Sequence, residues 1–101
     1  MKMLTIIFRA SLEDEMQMLL GGLGITTYTL IRGIAGSGEA GKVSGSRDKR
    51  DHNNLLTIAL DEGPMTRLAE AVKALHSRLD EENPRVKVPL KAFMQPCELV
   101  V

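Results

Sequence analysis

The spacing of apolar residues switches along this chain between two and three to four, and the order of the switches leaves few folds open. From Met3 to Arg9, Leu4, Ile6 and Phe8 alternate with Met3, Thr5 and Ile7, a strand whose two faces are both largely apolar. Ser11 then stands where an N-cap belongs, with Asp14 as its acidic companion, and Leu12, Met16, Leu19, Leu20 and Leu23 follow at helical spacing until Gly21, Gly22 and Gly24 end the helix. Ile25 to Ile34 returns to β-branched and aromatic residues, a second strand. After a long polar interval, Asn54 to Asp61 alternates Leu56, Ile58 and Leu60 against Leu55, Thr57 and Ala59, a third. Pro64 suits the first turn of a second helix, whose stripe of Met65, Leu68, Val72, Leu75 and Leu79 runs to Asn83-Pro84. Val86, Val88, Leu90, Ala92 and Met94 alternate with Lys87, Lys91 and Gln95, a last strand for which Pro89, with no amide to donate, points to an edge position or an irregularity.

The order is βαββαβ. Right-handed crossovers place both helices on one face of a four-stranded antiparallel sheet, the ferredoxin-like α+β arrangement. The other face is left open. Met3, Ile7, Ile25, Ile31 and Leu55 would populate it, a larger apolar patch than monomers usually expose, so a homo-oligomer packed through its sheets is expected.

Bulk properties narrow the function. At 101 residues the chain is expected to be a single domain spanning 1–101, with a flexible loop at about 35–54. Its 13 basic and 13 acidic residues cancel, and one Tyr, two Phe and no Trp leave little for stacking bases, so no nucleic-acid partner is expected. Cys97 is the only cysteine, which excludes an intrachain disulfide and fits a reducing cytoplasm. No apolar run approaches membrane length.

The interval from Gly33 to Asn54 carries the functional question, because structureless connections beyond about 12 to 15 residues are mostly lids, binding loops or linkers. It opens with Gly36-Ser37-Gly38-Glu39-Ala40-Gly41 and continues through Lys42, Arg47, Lys49 and Arg50, with Asp48 and Asp51 interspersed. Gly36, Ser37 and Gly38 suit an anion-binding nest of backbone amides, and a bare hairpin tip explains them equally well from spacing alone. Arg85, Lys87 and Lys91 cluster after the second helix and suit phosphate oxygens, as does a solvated edge strand. Thr29 alone reads as a packing residue. His52 and His76 stand far apart, and with one cysteine they supply no soft-ligand cluster for a metal. No activated nucleophile or paired carboxylate stands out, so an enzyme is not expected.

The layout, with the run 24-GITTYTLIRGIAGSGEAG-41 leading into the long loop, resembles the PII signal-transduction superfamily over nearly the whole chain. Thr29 and the stretch from Gly33 to Gly38 carry most of the match. The resemblance implies a homotrimer, an adenine nucleotide in each cleft between subunits, and a T-loop that engages protein partners. The regular nitrogen-regulatory members carry a Gly-Asp-Gly-Lys phosphate grip after the second helix, where this chain has Asn83-Pro84-Arg85-Val86-Lys87. The loop also lacks their uridylylated tyrosine, since Tyr28 is the sole tyrosine. In its short length, its Gly-Ser-Gly-Glu-Ala-Gly entrance and its altered tail the chain looks more like the divergent PII-like proteins, including the carboxysome-associated PII group and the regulators of bicarbonate transporters. That likeness implies ADP or AMP in preference to ATP and bicarbonate as co-ligand, with no prosthetic group. It assigns the nucleotide to Thr29, Gly36, Ser37, Gly38, Arg85 and Lys87, and bicarbonate or a partner to Glu39, Gly41, Lys42, Arg47, Lys49 and Arg50. The implied target is a bicarbonate transporter or a carbon-fixation component, with the membrane approached only through that partner. The alternatives are a trimeric interaction module without ligand control and, more distantly, a metal-binding protein like the trimeric CutA proteins, which share this fold.

Overall fold

The computed structural model describes the backbone of residues 1–38, 41–43 and 52–101, and the side chains of 1–36 and 52–101. Strand β1 (Lys2–Arg9) leads through a 3-10 turn at Ala10–Leu12 into helix α1 (Glu13–Gly22), followed by β2 (Thr29–Ile34), β3 (Gly36–Gly38), β4 (Gly41–Val43), β5 (Asn53–Leu60), α2 (Glu62–Glu82) and β6 (Leu90–Pro96). The main sheet has the order β2-β5-β1-β6, and β1 runs antiparallel to both β5 and β6. With both helices packed on this four-stranded sheet, the expected ferredoxin-like α+β fold is the observed one.

The core follows the alternation of the strands. Leu4, Ile6 and Phe8 of β1, Leu56 and Ile58 of β5 and Leu90 of β6 face Leu12, Met16 and Leu20 from the first helical segment and Met65, Leu68, Val72 and Leu75 from α2. These side chains form one continuous cluster, and burying each large aliphatic one contributes about 1.5–3 kcal/mol. The opposite phase of β1 and β5, Met3, Ile7 and Leu55, is partly buried, and Ile31 is exposed. Register aligns Lys91, Ile7, Leu55 and Ile31 across all four strands, with Phe93, Thr5, Thr57 and Thr29 in the next row. The apolar second face is therefore present.

Ile25 does not belong to it. Gly24 has φ +71, its amide donates to the Gly21 carbonyl at 3.1 Å, and the Ile25 amide donates to the Leu20 carbonyl at 3.0 Å. This is a Schellman ending, with glycine in the left-handed position and the following hydrophobe turned inward. Ile25 packs against the core, and β2 starts only at Thr29. Ser11 is likewise no N-cap: the chain leaving β1 is tied by the Ala10 amide to the His52 carbonyl at 2.9 Å, and it tightens into the 3-10 turn before α1 begins. Glu13, Asp14 and Glu15 in the first turn suit the positive end of the helix dipole.

Two further boundaries shift. Val86 and Val88 precede β6, where the Leu90 amide turns back to the Val88 carbonyl at 2.8 Å, and Pro89 contributes its carbonyl to the Arg9 amide at 3.0 Å. β6 lies on the sheet edge and begins only after Pro89. Within the interval expected as loop, β3 and β4 form a small two-stranded ladder, pairing Gly36 with Val43, Ser37 with Lys42 and Gly38 with Gly41. Gly-rich sequence gives no periodic signal for such a ribbon.

Candidate functional site

The long connection leaves the sheet where β2 ends and β5 begins, and this root is built around a bulge. Ile31 pairs with Leu55 and Ile34 with Asn53, so Arg32 and Gly33 together stand opposite Asn54. Gly33 takes φ +75, the left-handed conformation that costs other L-residues about 1–2 kcal/mol. Asn54 occupies the core-facing phase of β5 and is 1% exposed. Its side-chain oxygen accepts the Gly33 amide at 3.3 Å, and its amide nitrogen donates to Glu13 Oε1 at 2.9 Å.

Glu13, in the first turn of α1, also takes both forks of Arg32: Nε donates to Oε1 at 2.8 Å and Nη2 to Oε2 at 3.1 Å. The bidentate arrangement fixes the guanidinium plane against the carboxylate. Arg32, by hydrogen bond and charge, holds the Glu13 carboxyl below its ordinary pKa; partial burial opposes this, and Asn54 and His52 add to the lowering. The Arg32 guanidinium is correspondingly raised by Glu13. Beside them Arg9 Nε donates to Asn53 Oδ1 at 3.3 Å, and the buried His52 Nδ1 makes no hydrogen bond to any described residue. A second polar tie joins α1 to the segment leading into β2: the Tyr28 hydroxyl donates to Gln17 Oε1 at 2.7 Å.

Thr29 stands exposed on the edge strand β2, on the open face opposite Thr57. Gly36, Ser37 and Gly38 lie in the extended ladder of β3, and Gly41 and Lys42 in β4. Glu39, Arg47, Lys49, Arg50 and the flexibility expected for the loop lie outside the described residues. Arg85 and Lys87 occupy the exposed link between α2 and β6, and Lys91 faces outward on β6 opposite Ile7. Because β2 and β6 are opposite edges of the sheet, one chain does not bring the two halves of the expected nucleotide site together. Three strand spacings separate them, roughly 14 Å. Gly36–Gly38 and the link carrying Arg85 and Lys87 nevertheless lie toward the same end of the sheet, since Leu90 pairs with Phe8 and Asn53 with Arg9, whereas Thr29 stands at mid-sheet, level with Thr57 and Thr5.

His76 is exposed on α2, and Cys97 is a partly buried free thiol. Among the described residues no three His, Cys, Asp or Glu side chains group around a possible metal position. No described helix is long and apolar enough to cross a membrane. On the helix side, a groove of about 550 Å3 runs between α1 and α2 past Met18, Leu19, Leu23, Ala71 and Leu75, away from every residue expected in the site.

An antiparallel sheet with two helices on one face, an open apolar face on the other and a long connection rooted between β2 and β5 defines a ferredoxin-like α+β domain. The family model for Nitrogen regulatory protein P-II matches residues 1–93, and the chain belongs to that family. In structure it is similar to CPII, a nitrogen regulatory PII-like protein from Thiomonas intermedia K12, bound to ADP, AMP and bicarbonate, with a TM-score of 0.74, 20% identity, and coverage of 93% of this chain and 82% of that one. The same protein bound to ADP, AMP and acetate gives a TM-score of 0.59 at 17% identity, covering 97% and 88%. A PII-like signalling protein from Thermus thermophilus gives 0.62 at 21%, covering 93% and 83%. No curated protein matches the sequence.

Proposed function

We propose that this protein is a PII-like regulator that binds an adenine nucleotide, ADP or AMP in preference to ATP, in clefts between the subunits of a homotrimer. Bicarbonate is the co-ligand, and the 35–54 segment passes the ligand state to a protein partner in inorganic-carbon uptake or metabolism. The protein signals rather than catalyses, and it works in the cytoplasm.

The observation that carries this reading is the separation of the expected nucleotide residues. Thr29 and Gly36–Gly38 lie on the β2 side of the sheet and Arg85 and Lys87 beside the opposite edge, with Gly36–Gly38 toward the same end as Arg85 and Lys87, so a cleft between neighbouring subunits is the arrangement that would unite them. The open apolar face supports assembly, and the ligands of CPII support the choice of nucleotide and co-ligand. Nucleotide and bicarbonate each shift the loop only by their differential affinity for its forms, so each raises the affinity of the other if both favour the same form.

Isothermal titration with AMP, ADP and ATP, with and without bicarbonate, tests the reading. Binding near one nucleotide per subunit, tighter when bicarbonate is present, is the expected result. An absence of heat with all three nucleotides would remove the sensor reading, and identical affinities in both buffers would remove the coupling.

A further inference from the structure

The root of the long connection contains a polar device that neither the family match nor the expected ligand residues account for. Asn54 sits in the phase of β5 that otherwise supplies Leu56 and Ile58 to the core, and it is 1% exposed. An apolar side chain there would add to the core. The amide instead commits one end to the Gly33 N–H and the other to Glu13 Oε1, and Arg32 clamps the same carboxylate through both of its oxygens. Three elements are thereby joined at one point: the start of α1, the end of β2 and the start of β5.

The position of that point matters. Gly33 carries the left-handed φ at which β2 bulges before the chain departs toward Gly36, so the Asn54 oxygen holds the residue that sets the direction of departure. The ladder skips from Ile31 to Ile34, so between those pairs the Asn54 side chain, rather than a backbone carbonyl of β5, receives the Gly33 amide. Buried polar groups satisfied in this way specify one arrangement of the chain, because every alternative leaves a buried donor or acceptor without a partner.

We propose that Glu13, Arg32 and Asn54 form a latch that holds the loop root in one conformation through Gly33, and that opening this latch lowers nucleotide affinity by releasing the root. Asn54 and Glu13 are positioning residues, acting through the backbone of Gly33 and not by touching ligand. The effect on affinity rests on the nucleotide reading given above, whereas the effect on the loop root does not.

The test compares the full-length protein with Asn54→Leu, which suits the core-facing site and cannot bridge, and Glu13→Gln, which keeps the shape of the acceptor and loses its charge. Hydrogen exchange at the Gly33 amide, the thermal midpoint and calorimetric titration with ADP are measured on all three. The expected result is Gly33 exchange accelerated about tenfold or more in Asn54→Leu and less in Glu13→Gln. Exchange at Ile6 and Ile58 accelerates less than at Gly33, and ADP affinity falls in the same order as Gly33 protection. Unchanged Gly33 exchange in Asn54→Leu overturns the latch, as does acceleration shared equally by Ile6 and Ile58, which reports global destabilisation. Accelerated Gly33 exchange with unaltered ADP affinity overturns the link to the site. If the unmodified protein takes up no ADP, the nucleotide reading fails and with it the link, while the latch is still decided by the exchange data.

Discussion

Phe93→Asp is the perturbation that bears most directly on assembly. Phe93 lies on the open face of β6 opposite Thr5, in a row continued by Thr57 and Thr29, whose small side chains leave the ring standing 59% exposed. Taking an aromatic side chain to present about 200 Å2, covering that fraction in an interface removes roughly 120 Å2 from water and contributes about 3 kcal/mol per protomer. Aspartate forfeits this contribution and adds the cost of desolvating a carboxylate, so dissociation is favoured by at least about a hundredfold per protomer. The core face of β6 is untouched, and the monomer is expected to fold. Sedimentation equilibrium over a range of concentrations reads the outcome: a trimer for the unmodified protein, a monomer for Phe93→Asp, and near-identical far-ultraviolet spectra. A variant with unchanged mass at every concentration would refute assembly through this face.

Gly33→Ala should cost about 1–2 kcal/mol in a urea melt, because its φ of +75 is strained for any residue with a Cβ. Nothing lies within 4 Å of the added methyl, so the penalty is purely conformational. Gly36→Ala, which meets equally open space without a positive φ, should change stability little; equal losses in the two variants would contradict this account. The lowered pKa of Glu13 predicts a pH dependence of defined sign. A carboxyl depressed in the folded state stabilises fully above its unfolded value, ordinarily 4.5, and that stability drains away as pH falls through the folded value. Urea melts should therefore show the unmodified protein losing more stability on acidification than Glu13→Gln, and parallel curves would show that Arg32 does not favour the ionised form.

The four strands of the main sheet and the two helices were legible because each carries its own period. Leu4, Ile6 and Phe8, and equally Met65, Leu68, Val72 and Leu75, announce both their element and their buried face. The exceptions are places where a tertiary or capping interaction overrides local pattern. Ile25 reads as strand by composition, yet the Schellman ending at Gly24 turns it inward. Ser11 reads as a cap, yet the tie from Ala10 to His52 sets the helix start. The polar cluster at the loop root has a single mark in the sequence, an asparagine in the core phase of an otherwise apolar strand. Its partners Glu13 and Arg32 lie far from it along the chain, and no local spacing connects them.

Sequence alone determined the βαββαβ order, the apolar second face and the length of the connection between β2 and β5, since these depend on periodicity and composition along contiguous residues. Only the tertiary structure decided that Asn54 bridges Gly33 and Glu13, and that Thr29 and Arg85 stand at opposite edges of the sheet. Those relations join residues distant in the chain, and the strand order and register that bring them together or hold them apart arise when the whole core packs.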